Sequence, residues 1–470
     1  MVSCDTTAPM SIYLRLRDVF PNTILLESTD FCGSQNRFSY ICCDPIANFL
    51  VTGGNIVQSF PDKSRQVTAI NSSANVLAQL DEFRRVFVET APSKNCEFIT
   101  NGLFGYIAYD AVRYFEDIEL SPYSSLQDAI PDICFSVFQH VIVVDPSKNE
   151  MHIFNYTYRR DDERDAKAEC LASERGQLLE HLVFHKEYAN YSFKKSGGEQ
   201  SNFTDEGFLQ AIECGKGHNH RGDVFQLVLS RRFWQGFLGD EFNVYRALRS
   251  INPSPYLFYL DYGSFKIFGS SPESQIVKSG SQVSISPIAG TYRRMGTESI
   301  DSDLAEKLTL DPKENAEHVM LVDLARNDLS KHCENVFVEK YRDIQFYSHV
   351  IHLVSKVTGT IAGSEDNLAI LGDTFPAGTL TGAPKYKAME LIDRYEGTPR
   401  GVYGGCLGYI GFNGDYIQAI IIRSFFSKNN VLYYQAGAGI VAESNAQSES
   451  NEVHNKLMAL RQAMDDAEKF

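Results

Sequence analysis

The chain is poor in several features that mark particular classes of protein. Tryptophan occurs once, and the ten cysteines (Cys4, Cys32, Cys42, Cys43, Cys96, Cys134, Cys170, Cys214, Cys333, Cys406) are scattered, with no CxxC pair. That usage argues against a disulfide framework and points to reduced, mostly buried thiols in a cytoplasmic protein. Basic residues are outnumbered, with 44 Lys and Arg against 60 Asp and Glu and a net charge of −16. A nucleic-acid partner calls for a basic face, so that class is set aside. No run of 18 apolar residues occurs, and no apolar run behind basic residues opens the chain. Neither a membrane span nor a signal peptide is therefore expected. Repeats and low-complexity tracts are absent as well. The chain does have 470 residues, 43% of them hydrophobic and 12% aromatic, enough for a large core or for two domains sharing an interface.

Residues 1–182 read as strands and turns with a few helices. Apolar runs split by Gly53-Gly54 and by Asp145-Pro146-Ser147 give two hairpins, and a charged helix is predicted over about 159–182. The polar stretch 183–202, with Ser196-Gly197-Gly198, is taken as a linker to a second domain, 203–470. In that domain, Asp223 to Ser230 alternates as a strand with Gln226 on one face and Leu227 on the other. Three strands are predicted between Gly408 and Ile440, turning at Asn413-Gly414 and Asn429-Asn430. Long helices begin near Pro312 and near Ser448. Antiparallel sheet with framing helices makes an α+β fold.

Both helices carry spaced carboxylates. Asp311-Pro312 supplies an N-cap and a first-turn proline, and Glu314 and Glu317 then share a face. In the last helix Glu449, Glu452 and Lys456 share a face beside the apolar stripe Val453, Leu457, Leu460 and Met464. Two such pairs suit a hard dication such as Mg²⁺, which takes oxygen ligands and keeps several waters. The same spacings also serve as a capping box and as an i,i+4 ion pair, and spacing alone leaves the choice open.

Four further segments, in this order and spacing, resemble the chorismate-utilising enzymes and within them anthranilate synthase component I. They are Pro287-Ile288-Ala289-Gly290-Thr291, Asp323-Leu324-Ala325-Arg326-Asn327-Asp328, Gly378-Thr379-Leu380-Thr381-Gly382-Ala383-Pro384-Lys385 and Gln435-Ala436-Gly437-Ala438-Gly439-Ile440-Val441. The likeness is strong over about 200–465 and weaker before it, through Leu25-Leu26-Glu27-Ser28 and Gly105-Tyr106-Ile107-Ala108-Tyr109-Asp110. It implies two facing antiparallel sheets surrounded by helices, a Mg²⁺ ion, chorismate as substrate and a glutamine amidotransferase partner in a heterodimer or heterotetramer. By the same resemblance Glu317 and Glu452 hold the metal directly, and Glu314 and Glu449 hold it through water. Lys456, Tyr403, Arg423, Gly437 and Gly439 match groups on the two substrate carboxylates, with Gly290, Thr291 and Ala438 beside them and Thr379 near the ring carboxylate. An Arg can grip a carboxylate bidentately, and glycines let backbone N–H groups approach it closely.

The nucleophile separates the members. Those that add water resemble one another in a general-base Lys where this chain has Gln226, and aminodeoxychorismate synthases have a covalent Lys where it has Ala289. Gln is no base and Ala no nucleophile, which leaves direct attack by ammonia. His352 matches a general acid for departure of the 4-hydroxyl, although a histidine in Val350-Ile351-His352-Leu353-Val354 also reads as core. No glutaminase nucleophile motif is visible, so glutamine-dependent activity calls for a separate subunit. Leu26, Glu27 and Ser28 with Pro253, Ser254, Pro255 and Tyr256 resemble the family's tryptophan feedback site. Aminodeoxychorismate synthase component I and a non-catalytic regulatory homologue are the competing expectations.

Overall fold

The computed structural model describes residues 2–3, 8–28, 37–71, 75–88, 97–121, 130–158, 166–185, 187–346, 350–361 and 368–470. Cys4, Cys32 and Cys96 and the first part of the predicted charged helix lie outside them. Among the described residues twenty-two strands pair antiparallel into one continuous network. It is folded into two layers with helices over the outer faces.

One layer runs in the order Phe193–Ser201, Gln226–Gly239, Val431–Ile440, Ser424–Lys428, Phe265–Ser271, Tyr256–Asp261, Ile24–Glu27. The other runs Val350–Ile361, Gln282–Ile285, Ser274–Ser279, Tyr416–Ile420, Cys406–Gly411, Gly102–Ile107. Two long strands, Ser39–Thr52 and Ile133–Asp145, pair along their length and belong to both layers. The first bends at Asp44-Pro45, where Asp44 has φ 63° and the register shifts between Pro45 and Ala47. Proline has no N–H to give to the ladder, so a bend falls naturally there.

Between the layers lie Ile24, Tyr40, Phe104, Tyr106, Phe258, Ile267, Leu407 and Ile421. Helix Ala446–Ala467 covers the outer face of the first layer, packing Val453, Leu457 and Leu460 with Leu227, Leu229 and Ala438. Helix Pro312–Ser330 covers the second, packing Val322, Ala325 and Leu329 with Ile276, Val283 and Val357. Each carboxylate-bearing helix is thus amphipathic on a different sheet.

The chain changes layer at two neighbouring corners. Strand Phe265–Ser271 belongs to the first layer and Ser274–Ser279 to the second, so the Ser271-Pro272-Glu273 segment crosses between them. Tyr416–Ile420 and Ser424–Lys428 are likewise split between layers, joined through Ile421-Ile422-Arg423. The two corners are stitched together by Ile420 N–H donating to Glu273 O at 3.0 Å and Ser270 N–H donating to Arg423 O at 3.1 Å.

Several expectations are corrected here. Four strands, not three, lie between Cys406 and Ile440, because Arg423 takes φ 51° and breaks the apolar run that reads as one strand. The alternating strand begins at Gln226, leaving Phe225 74% exposed. Phe193–Ser201, inside the stretch read as linker, is an edge strand paired with Gln226–Gly239, and its exposed side explains its polar sequence. Strands from the first 182 residues also pair directly with later ones, Ile24–Glu27 with Tyr256–Asp261 and Gly102–Ile107 with Cys406–Gly411, so both layers are shared between the two parts of the chain. No helix among the described residues is long and apolar enough to cross a membrane.

Candidate active site

The site forms where the corners, the glycines of strand Val431–Ile440 and the two carboxylate helices meet. Along Gln226–Gly239, Leu227 and Leu229 face the helices, so Gln226 faces the opposite way. Its Nε2 donates to Glu317 Oε1 at 2.8 Å. Gly439 makes room for that contact, because a Cβ there would fall 2.4 Å from Gln226 Nε2. The glycine in this strand is therefore a requirement of close approach. The partner oxygen, Gln226 Oε1, is buried with no protein hydrogen bond.

Glu314 lies beside Gly290, which has φ 72° and whose absent Cβ would sit 3.1 Å from Glu314 Oε2. Asp311 caps the helix by accepting from Glu314 N–H at 3.2 Å. His352 faces the same glycine, with Nδ1 3.3 Å from Gly290 O. Its imidazole is pushed down to about 4, first by burial and then by the Arg423 guanidinium, so it is neutral at pH 7. Ala289 is buried on the strand Ile288–Arg293 opposite Leu353, and the Thr291 backbone pairs with His352.

On the other helix, Glu452 pairs with Lys456 at 2.7 Å. The i,i+4 bridge that spacing allowed is real, and Lys456 Nζ also donates to Gly437 O at 2.9 Å. Glu449 is buried and accepts from Ser444 Oγ at 2.8 Å. Arg423, partly buried at its corner, donates to Lys456 O at 3.4 Å. Burial lowers the affinity of its guanidinium for a proton, while Tyr403 and Glu452 oppose that shift. Tyr403 packs with Ala377, Leu380 and Ile420, and the Gly437 N–H reaches its hydroxyl. Ala438, between the two glycines, points into the helix-facing core and offers the site only its backbone.

One group escaped the sequence reading. Glu273, buried at the first corner, accepts from Thr379 Oγ1 at 3.1 Å. Its carboxyl is raised to about 8 by burial, with Thr379, the Ile288 N–H and Lys456 pulling the other way. It therefore carries a proton at neutral pH. The only hint in the sequence is a carboxylate directly after Pro272 between two apolar strands.

A second pocket lies between the layers, lined by Leu26, Glu27, Phe38, Tyr40, Tyr256, Leu257, Leu407, Gly408 and Tyr409 among others. Leu26, Glu27 and Tyr256 line it, whereas Ser28, Pro253, Ser254 and Pro255 do not. Glu27 Oε2 accepts from Tyr245 Oη at 2.6 Å and Arg249 Nε at 3.1 Å. Glu27 Oε1 is buried with no protein hydrogen bond.

For a metal, the chemistry of the donors decides. Glu317 lies near Gly439 and Glu314 beside Gly290, while Glu452 reaches Gly437 through Lys456 and Glu449 is held by Ser444; all four are oxygen donors of the kind Mg²⁺ takes. Among the described residues no three His, Cys, Asp or Glu side chains already converge. Mg²⁺ keeps several waters and usually needs only one or two protein carboxylates. The residues fit Mg²⁺.

Two facing sheets with this site between their corners define a chorismate binding enzyme, and the chain belongs to that family, which it matches over residues 33–462. The chain is also similar to anthranilate synthase component 1 of Aquifex aeolicus (strain VF5), at 36% identity over 476 residues that cover 99% of this chain and 93% of the relative. Among solved structures, anthranilate synthase component I from Streptococcus pneumoniae TIGR4 superposes with a TM-score of 0.77 at 31% identity, covering 98% of this chain and 99% of that one. The menaquinone-specific isochorismate synthase of Escherichia coli, 19% identical with a TM-score of 0.74 over 98% of this chain and 92% of its own, shares the fold.

Proposed function

We propose that the chain is the chorismate-binding subunit of an anthranilate synthase: it adds ammonia to chorismate and expels water and pyruvate to leave anthranilate. The observation that carries this reading is the Gln226–Glu317 contact of 2.8 Å. By the resemblance Gln226 stands where water-adding members carry a base, and an amide held by Glu317 takes up no proton; Ala289 offers no nucleophile either. Ammonia arrives already nucleophilic and needs neither.

Glu317 and Glu452 would hold Mg²⁺, with Glu314 and Glu449 acting through water; bound, the ion supplies Lewis acidity at the ring carboxylate. Arg423 and Lys456 bind the carboxylates as a fork and a point charge. Glu273 holds its proton at neutral pH, which makes it a better donor to the departing 4-hydroxyl than the neutral His352. Thr379 orients that carboxyl through its 3.1 Å hydrogen bond. His352 remains a contact of the Gly290 turn, polarised by Arg423.

Ammonia comes from a separate glutamine amidotransferase subunit, and the whole works in the cytoplasm. Six described cysteines, among them Cys42, Cys43 and Cys406, are free, as that compartment favours. The purified chain with chorismate, Mg²⁺ and ammonium at pH 8 should yield anthranilate, read by fluorescence and checked by chromatography. Chelation should abolish turnover and added Mg²⁺ restore it. Isochorismate as product would overturn the reading of Gln226, and turnover that survives chelation would remove the metal.

The second pocket takes tryptophan as a feedback inhibitor. An ammonium group is the natural partner of Glu27 Oε1, and the aromatic and aliphatic walls suit an indole. Replacing Glu27 with Gln should raise the tryptophan concentration for half-inhibition by about ten- to a hundredfold, the value of one charge-assisted hydrogen bond. An unchanged inhibition curve would show that the amine is bound elsewhere.

A further inference from the structure

Lys385 closes the segment that carries Thr379, yet the chemistry above gives it no task. Its ammonium donates to Asp328 Oδ2 at 2.9 Å and to the Thr374 carbonyl at 2.9 Å. The same carbonyl accepts from Gln275 Nε2 at 2.8 Å. Three stretches meet at this point. Asp328 lies on helix Pro312–Ser330, eleven residues and about 16 Å along the axis from Glu317. Gln275 follows Glu273 by two residues, on strand Ser274–Ser279. Lys385 itself opens helix Lys385–Glu396, just after the Gly378–Thr381 turn that presents Thr379. A second contact clamps the same elements, because a Cβ on Gly378 would fall 2.1 Å from Leu324 Cδ2 of the carboxylate helix.

Neither member of the ion pair suits its own helix. Lys385 puts a cation in a first turn and Asp328 puts an anion in a last turn, each against the helix dipole. Their side chains are only 11% and 12% exposed, so solvent does little to relieve them. Local helix stability explains neither residue; pairing between the two helices offsets both.

We infer that Lys385 is a positioning residue: by holding Asp328 and the Thr374 carbonyl together it fixes the carboxylate helix, the Thr379 segment and the Glu273 strand in one register. The spacing between Glu317, Thr379 and Glu273 follows from that register. The inference rests on the reading of those three residues as site groups.

Three variants test it: Lys385→Gln, Lys385→Arg, and the exchange Asp328→Lys with Lys385→Asp. The exchange keeps an ion pair and moves each charge to the helix end it favours, but leaves the Thr374 carbonyl without its lysine donor. The readouts are thermal melting, Mn²⁺ binding to the substrate-free chain by electron paramagnetic resonance, and anthranilate formation. Lys385→Gln should weaken Mn²⁺ binding at least fivefold and slow turnover at least thirtyfold, while Lys385→Arg, which keeps both donors, stays within threefold of wild type in both. The exchange should recover the melting temperature and neither of the other two. Recovery of all three by the exchange, or wild-type Mn²⁺ binding and turnover in Lys385→Gln, would overturn the inference. A wild-type chain that makes no anthranilate overturns the functional reading instead, and Mn²⁺ binding then decides the positioning role alone.

Discussion

Glu273→Gln is expected to slow anthranilate formation by about 10²–10⁴-fold, the usual contribution of a positioned acid, and to melt at a higher temperature than wild type. Gln keeps the shape and the hydrogen bond from Thr379 but has no proton to give. In the wild type the acid proton is lost as pH rises past about 8, so the amination rate should fall above that pH. The variant should lack that limb. The stability effect has the opposite sign. Glu273 has an ordinary value of 4.5 and is raised to about 8 in the fold, so the folded chain holds a proton that the unfolded chain releases. Its stabilising share is complete below pH 4.5 and is lost as pH rises through 8. A neutral Gln suffers no such loss, and its advantage should grow across that window to a few kcal/mol at most. Melting curves at pH 5 and pH 8.5 measure the gap. Full activity in Glu273→Gln, or a gap that shrinks with pH, would remove Glu273 as the acid.

Arg423→Ala should lower kcat/KM for chorismate by about 10²–10⁴-fold, chiefly through KM, because two charge-assisted bonds are each worth about 1.5–3 kcal/mol. Little stability should be lost with it. Arg423 makes one long bond, to Lys456 O at 3.4 Å, among the described residues, and its burial disfavours its own charge. Its φ of 51° is strained for Arg and Ala alike, so Arg423→Gly should melt higher than either. A KM that does not move would place the substrate carboxylate elsewhere.

Local chemistry was legible where it decides local structure. Gly53-Gly54 and Asn429-Asn430 adopt positive φ in hairpin turns, as their composition demands, and Pro312 opens its helix behind Asp311. The carboxylate spacings and the Gln226 and Ala289 positions were legible too, the latter through resemblance. What stayed hidden depends on neighbours far away in sequence. Ile420-Ile421-Ile422 is a plausible strand by any periodicity, and only its pairing with the Ser270–Glu273 corner makes it a crossing. Glu273 has no spacing partner to announce it; its role comes from burial, which a sequence does not display. Lys385 and Asp328 stood inside quoted motifs, but their misfit with the helix dipoles appears only once the helix ends are known.

The pairing of the two corners bears on how the enzyme comes to be active. Glu273 and Arg423 are 150 residues apart, and each is placed by a backbone hydrogen bond from the other's corner. Neither can be aimed before strands from both layers are in register. Contacts of such sequence separation close late, since the chain must meet the entropy of a large loop before they contribute. During refolding, helix content and burial of the apolar faces should therefore return ahead of turnover. Activity in this fold is a report on the last long-range contacts to form, and a chain that looks folded by its helices can still be without a site.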